Sequence, residues 1–227
     1  MHNLTRAVQH EQPDEKHPMN EPATRRYRGA SAEQRQHERR EKLLEAGLRV
    51  FGEVGYHAAT VRGICQEAGL TERYFYESFA NSEDLLCAVY EQVITTQRER
   101  MLTAINSALP DQAAMIRAGL TAFLAFAKES PASARVQFLE VLGVSPRVDQ
   151  LYRRAIETFA QLLRGLSESS RPVPPRADMD TLSVGLVGAM VGIGSRWMLT
   201  GFVQPLEEVV ATSQIIFTGV MEQLQHH

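Results

Sequence analysis

From Ala68 to Phe79 the chain reads Ala-Gly-Leu-Thr-Glu-Arg-Tyr-Phe-Tyr-Glu-Ser-Phe, and this stretch holds the side chains best suited to gripping a polyanion. Arginine can read guanine bidentately, threonine can touch base edges or phosphate, and tyrosine hydroxyls suit phosphate oxygens. Arg73, Thr71, Tyr74 and Tyr76 supply those groups, with Thr60 and Arg62 shortly before them and Ser82 shortly after. Glu72 would repel phosphate, so it must accept from a cytosine amine, pair with Arg73 or face away. Gly69 can take positive φ at no steric cost and lets the preceding helix stop sharply. Leu70 tucks between two helices, and Thr71 caps the next. Helix end, tight turn and short second helix form a helix-turn-helix layout, in which the start of the second helix enters the DNA major groove. The competing readings are a packing corner with solvated charges, or a helical protein-interaction module without DNA binding.

These side chains need a frame, and the flanking periodicity predicts one. Residues 1–30 are polar, contain three prolines and show no period, so a disordered N-terminal arm is expected. Order is expected from Ser31, where Ser31-Ala32-Glu33-Gln34 fits a capping box. Leu43, Ala46, Val50, Phe51 and Val54 recur at helical steps until Gly55. Thr60 caps a short second helix with Ile64 and Cys65 inward. The third helix runs from Thr71 to about Phe79, with Phe75 and Phe79 pointing into the core. Asn81 caps a long fourth helix, with Glu83 and Asp84 where the dipole favours acids. Five more helices are expected: 111–129, one opening at Ser130-Pro131, one from Ser145-Pro146 to about 166, 178–200 and 205–224. The expectation is an all-α chain of about nine helices. A helix-turn-helix unit over 31–80 is joined by the long fourth helix to a helical domain over 81–227.

Composition narrows the function classes. The formal net charge is -3, which argues against a generally basic nucleic-acid-coating protein. Residues 25–49, however, hold eight Lys or Arg against four Glu, a local balance of 8 − 4 = +4. Arg25-Arg26-Tyr27-Arg28 can reach along a DNA backbone, or remain a solvated tail. Cys65 and Cys87 lack metal-ligand spacing and read as buried reduced thiols. The N-terminus has no apolar signal core, and a cytoplasmic location is expected. No Gly-rich phosphate loop, G-x-S-x-G or H-E-x-x-H occurs, so neither an enzyme nor a cofactor or metal site is expected.

The order of these residues resembles the TetR family of transcriptional regulators. The likeness runs through residues 39–90: Leu43-Leu44-Glu45-Ala46, Val50-Phe51-Gly52-Glu53-Val54-Gly55-Tyr56, Thr60-Val61-Arg62-Gly63-Ile64, Glu67-Ala68-Gly69-Leu70-Thr71, Tyr76, Phe79 and Asn81-Ser82-Glu83-Asp84-Leu85-Leu86. The resemblance implies three helices for DNA and six for ligand and dimer. It implies that Thr60 and Tyr76 contact phosphates, and that Thr71, Arg73 and Tyr74 form the base-reading face. Two departures stand out. Arg73 replaces the small residue usual at its position, and Ser82 replaces a lysine, losing a charge-assisted phosphate contact.

In the C-terminal half, residues 182–194 carry no charge and include Gly185, Gly188, Gly192 and Gly194. Each costs a helix roughly 1 kcal/mol relative to Ala, which close approach of a neighbouring helix would offset. The uncharged run is short for a membrane span, so a soluble two-fold interface with helix 205–224 is expected. A pocket for a small apolar or amphipathic effector is expected from Met101, Phe123, Phe126, Phe138, Tyr152 and Trp197, with Arg135, Glu140 or Arg196 as polar anchors. Together these imply a homodimeric, ligand-released repressor that binds double-stranded DNA at a palindromic operator, with no membrane partner.

Overall fold

Capping chemistry sets most of the helix boundaries. A computed structural model describes residues 24–168 and 178–225. Among them the order is α1 (Thr24–Val54), α2 (Val61–Ala68), α3 (Glu72–Ser78), α4 (Ser82–Ser107), α5 (Gln112–Glu129), α6 (Pro131–Arg135), a π-helical turn (Val136–Glu140), α7 (Pro146–Glu168), α8 (Met179–Leu199) and α9 (Leu206–Gln225), with no strand. The all-α expectation with about nine helices is met. Thr60 accepts from the Gly63 amide, Asn81 from Asp84 and Asp111 from Ala114. Ser130 precedes Pro131 and accepts from Ser133. Each side chain satisfies a helix-start N–H that has no partner within its own helix.

Three local expectations are corrected. Helix α1 begins at Thr24, so Ser31 lies inside it and the expected capping box caps nothing. No proline follows Pro22 before Gly55, and a run rich in Arg, Glu, Gln, Ala and Leu propagates a helix once it has started. Thr71 holds the N-cap position of α3 with extended backbone, yet its side chain makes no capping bond. The π turn, finally, had no counterpart in the periodicity. The arm expected to be disordered over residues 1–30 is helical from Thr24; residues 1–23 and 169–177 lie outside the described residues, as do the side chains of Arg25, Arg26, Tyr27 and Arg28.

Two apolar clusters fill the interior. One joins Leu43, Phe51, Ile64, Phe75, Phe79, Leu86 and Tyr90 to Phe126, Val136, Val141, Val148 and Ala155. The other joins Met101, Ile105, Phe123, Phe138, Phe159, Met190, Trp197, Val210 and Phe217. Helix α4 contributes to both, Leu85–Val93 to the first and Met101 and Ile105 to the second. Each large side chain buried here is worth about 1.5–3 kcal/mol relative to exposure. Met179–Leu199 has the length and apolarity of a membrane-crossing helix. One face of it, Leu186, Val187, Met190, Gly194 and Trp197, is nonetheless built into this core.

The N-terminal helices approach the rest of the chain closely at Gly52. A Cβ there would stand 2.4 Å from the Ala132 Cβ and 2.6 Å from its Cα, so α1 meets the backbone of α6. Backbone cannot move aside as a side-chain tip can. Gly52→Ala is therefore expected to destabilise the fold by about 1–3 kcal/mol, read as a lower urea midpoint. Gly63→Ala, whose nearest neighbour is the Thr60 hydroxyl at 3.2 Å, should cost less.

Candidate nucleic-acid interface

The corner at Gly69 is built from backbone. Gly69 has φ +65°, and its N–H reaches the Gln66 carbonyl at 3.2 Å while Leu70 N–H reaches Cys65 O at 2.9 Å. These bonds close α2 in the manner of a Schellman cap. Leu70 is partly buried against the first cluster. The chain re-enters helix at α3, anchored by fully buried Phe75 and by Phe79, whose rings lie 5.9 Å apart. Opposite these anchors, Thr71, Glu72, Arg73 and Tyr76 are exposed. Because Thr71 does not cap, its hydroxyl is free of an intrahelical bond. Thr60 and Arg62 are exposed at the start of α2, and Ser82 is half-buried at the start of α4. Thr60 and Arg62 thus stand at the start of α2, Thr71, Glu72, Arg73 and Tyr76 on the exposed side of α3, and Ser82 at the start of α4.

Two arginines of α1 hold α3 from behind. The Arg40 guanidinium lies over the Phe79 ring at 4.3 Å and donates to Ser78 O at 3.0 Å, a carbonyl at the negative end of α3. Arg39 lies over the Tyr74 ring at 4.4 Å and pairs with Glu77 at 3.6 Å. Glu77 also accepts from Arg73 Nε at 3.2 Å, one helical turn away. Arg73 is therefore paired with Glu77 and not with Glu72, although its side chain is 84% exposed. Tyr74 differs from the other candidates: it is half-buried, with one ring face occupied by Arg39. Sequence reading missed this chain of contacts. Its only signal was the i, i+4 spacing of Arg73 and Glu77.

A second clamp joins α1 to the π turn. Arg135 donates to the Glu53 carbonyl at 3.0 Å and pairs with Glu140 at 2.8 Å. Glu140 in turn accepts from the Tyr56 amide at 2.7 Å. The last carbonyls of α1 thus meet a cation and the amide beyond it meets an anion, as the local dipoles require. Between α4 and α7, Arg147 pairs with Asp84, which also accepts from the Ala80 amide at 3.1 Å. The Arg147–Asp84 pair borders an open polar cleft of about 500 Å³ that Arg40, Phe79, Glu91 and Arg154 also line.

The expected effector-pocket residues are not brought together as one cavity. Met101, Phe123, Phe138 and Trp197 share the C-terminal core, whereas Phe126 belongs to the N-terminal cluster beneath Arg100. Arg135 and Glu140 serve the α1 clamp, and Arg196 is exposed. The Trp197 indole N–H donates to Gln204 O at 3.0 Å. Two narrow seams open in this core. Met101, Ile105, Leu163, Met190 and Phe217 line one of about 20 Å³. Tyr90, Phe123, Gln137, Tyr152 and Met190 line another of about 10 Å³. Cys65 and Cys87 are buried free thiols, each pushed up from the ordinary thiol range mainly by burial. No cluster that could hold a metal occurs among the described residues.

Residues 43–89 match the family described as bacterial regulatory proteins, tetR family. The HTH-type transcriptional regulator BetI of Klebsiella pneumoniae (strain 342) is 28% identical over 176 residues, covering 77% of this chain and 89% of that protein. Two solved structures share the fold at 18% identity. The fatty acid degradation regulator FadR from Bacillus halodurans has a TM-score of 0.71, covering 80% of this chain and 95% of that one. FadR from Bacillus subtilis, in complex with stearoyl-CoA, has a TM-score of 0.70, covering 78% and 96%.

The Asp84 pair carries a pH signature. The hydrogen bond from Arg147, followed by that from Ala80, holds the Asp84 carboxyl below its ordinary value of 3.8. A depressed carboxyl contributes stability above its unfolded pKa and loses it as pH falls through the folded one. The pair is solvent-accessible, so Asp84→Asn should cost only about 0.5–1 kcal/mol at pH 6. Urea midpoints of the two proteins should converge as pH falls below the ordinary carboxyl value of 3.8.

Proposed function

We infer from this chain's membership of the TetR family of transcriptional regulators, and from the exposed start of α3, that it is a homodimeric repressor released from a palindromic operator by a small effector. The observation carrying this reading is the split character of α3. Phe75 and Phe79 fix one side in the core and Arg39 and Arg40 brace the end, while Thr71, Glu72, Arg73 and Tyr76 stay exposed. A short helix held this firmly and offering its amino end outward suits the major groove. Arg73 and Thr71 would read bases, with Tyr74 beside them. Thr60, Arg62, Tyr76 and Ser82 would meet phosphate or sugar. Glu72 would accept from a cytosine amine. The unit from α1 to residue 80 would be the DNA-binding domain, and residues 81–227 the effector and dimer domain. The protein would act in the cytoplasm, without catalysis.

The glycines of α8 support the dimer. A Cβ at Gly194 would touch the Phe138 ring at 3.0 Å, so that glycine serves the chain's own core. Gly185, Gly188, Gly192 and, in α9, Gly219 would meet nothing within 4 Å. They share their faces with exposed Val184, Leu199 and Ile215, the last 73% exposed. A two-fold mate would cover both faces and use the close approach that the glycines permit. Effector release follows from differential affinity: a ligand preferring one spacing of the reading heads shifts the dimer toward it. Helix α4, shared by both cores, and the Arg135–Glu140 clamp are the routes for that shift. An apolar or amphipathic effector suits the domain's interior. The stearoyl-CoA held by the Bacillus subtilis relative is one molecule of that range.

Selection of bound sequences from random duplex DNA is the deciding experiment. An inverted repeat is expected, and no enrichment would sink the regulator reading in favour of a protein-interaction module. On the selected operator, Arg73→Ala and Tyr74→Ala should lose about 1–3 kcal/mol of discrimination each, whereas Tyr76→Phe should weaken binding evenly across sequences. Gly188→Arg should leave the subunit folded but convert dimer to monomer in gel filtration with light scattering.

A further inference from the structure

Two glutamines sit deep in the C-terminal interior, Gln97 fully buried and Gln137 only 4% exposed. Gln97 Nε2 donates to the Phe123 carbonyl at 3.4 Å, and Gln97 Oε1 accepts from Gln137 Nε2 at 2.5 Å. The backbone carbonyl orients the whole pair. Turning the Gln97 amide over would set its oxygen against Phe123 O; turning Gln137 alone would set two amide oxygens together. Gln137 must therefore present Nε2 to Gln97, which leaves its Oε1 buried without a hydrogen-bond partner. Such an orphan keeps the desolvation cost of its burial uncompensated. It is held there by the π turn, whose wider winding buries three successive residues, Val136, Gln137 and Phe138.

The surroundings of that oxygen are selective. Gln137 lines the smaller seam with Tyr90, Phe123, Tyr152 and Phe159, and no charged side chain borders that seam or its neighbour. Burial raises the Tyr90 and Tyr152 hydroxyls, so both stay neutral. A carboxylate or phosphate here would be buried against an amide oxygen with no counter-charge, and an ammonium would likewise lack one. Met190 walls both seams and Met101 walls the larger. Unbranched thioether side chains can swing aside to merge such spaces.

We propose that the effector is an uncharged amphipathic molecule whose hydroxyl or amide N–H donates to Gln137 Oε1 while its apolar body displaces Met190 and occupies the joined seams. The inference rests on the reading of residues 81–227 as an effector domain, and it specifies the chemistry of that effector. The same π turn that carries Gln137 carries Glu140, the residue gripping the Tyr56 amide beyond α1. Seating a donor on Gln137 therefore acts on the element that holds the DNA-binding helices.

The test uses the full chain and three probes of similar size: 1-octanol, its isomer heptyl methyl ether, which accepts but cannot donate, and octanoate. Calorimetric titration and thermal shift should rank octanol about tenfold tighter than either of the others, the worth of one buried hydrogen bond. In Gln137→Met, which keeps the side-chain length, octanol and the ether should bind equally. If that variant does not fold, the wild-type ranking decides alone. An ether or octanoate matching octanol overturns the proposal, as does octanol preference surviving in Gln137→Met. Binding of no probe also overturns it, leaving a buried water as the partner of Oε1. Operator selection on the same preparation keeps the two readings apart. Enrichment with a flat probe ranking removes only the effector chemistry, and the expected ranking without enrichment removes only the regulator.

Discussion

The DNA-binding helices have no core of their own. Phe51, Ile64, Phe75 and Phe79 are sealed by Leu85–Val93 of α4 and by Phe126, Val136, Val141, Val148 and Ala155 from later in the chain. About fifty residues bury too little apolar surface to stand rigidly alone, and the chain answers by sharing one cluster across what topology divides into two units. Everything functional inherits this constraint. The stiffness of α3 comes from body residues as much as from its own turn, and a change in α4 or the π turn bears directly on that cluster.

Electrostatics refine what burial sets up. Arg39 and Arg40 arise on consecutive positions of α1 yet hold α3 at separate rings, Tyr74 and Phe79. Surface ion pairs are individually weak, so the Arg73–Glu77–Arg39 chain matters chiefly for geometry: it holds the guanidinium of Arg73 along α3 without burying it. Arg135 and Glu140 do related work at the other end of α1, where a cation covers the last carbonyls and an anion catches the next amide.

Much of this architecture was legible in the sequence. Helix starts were readable because a cap is local chemistry, as at Thr60, Asn81, Asp111 and Ser130-Pro131. The helix-turn-helix corner was readable because Gly69 must take positive φ there, and its apolar anchors fall at steps of four. Features that depend on distant partners were not. Ser31 matched a capping box, but the helix-favouring residues before it carried α1 back to Thr24. The π turn adds one residue to a turn, which no apolar period announces. Arg135 could be recognised as a polar group of consequence, though not as the cap of a helix eighty residues earlier in the chain. Nor could residue type separate Phe126 from Phe123, three positions apart on α5 yet packed into different clusters.

The contact of Gly52 with Ala132 bears on how such proteins can be recombined. Regulators of this architecture invite exchange of their reading heads, as if the first three helices were a cassette. Here a transplanted head must bring glycine at position 52, or α6 must back away from α1 and open the shared cluster. It must also present to Val136, Val141 and Val148 the apolar surface they now cover. The chain is modular in sequence order and continuous in its packing, so the natural cut for a chimera runs through the middle of α4, not through the corner that precedes it.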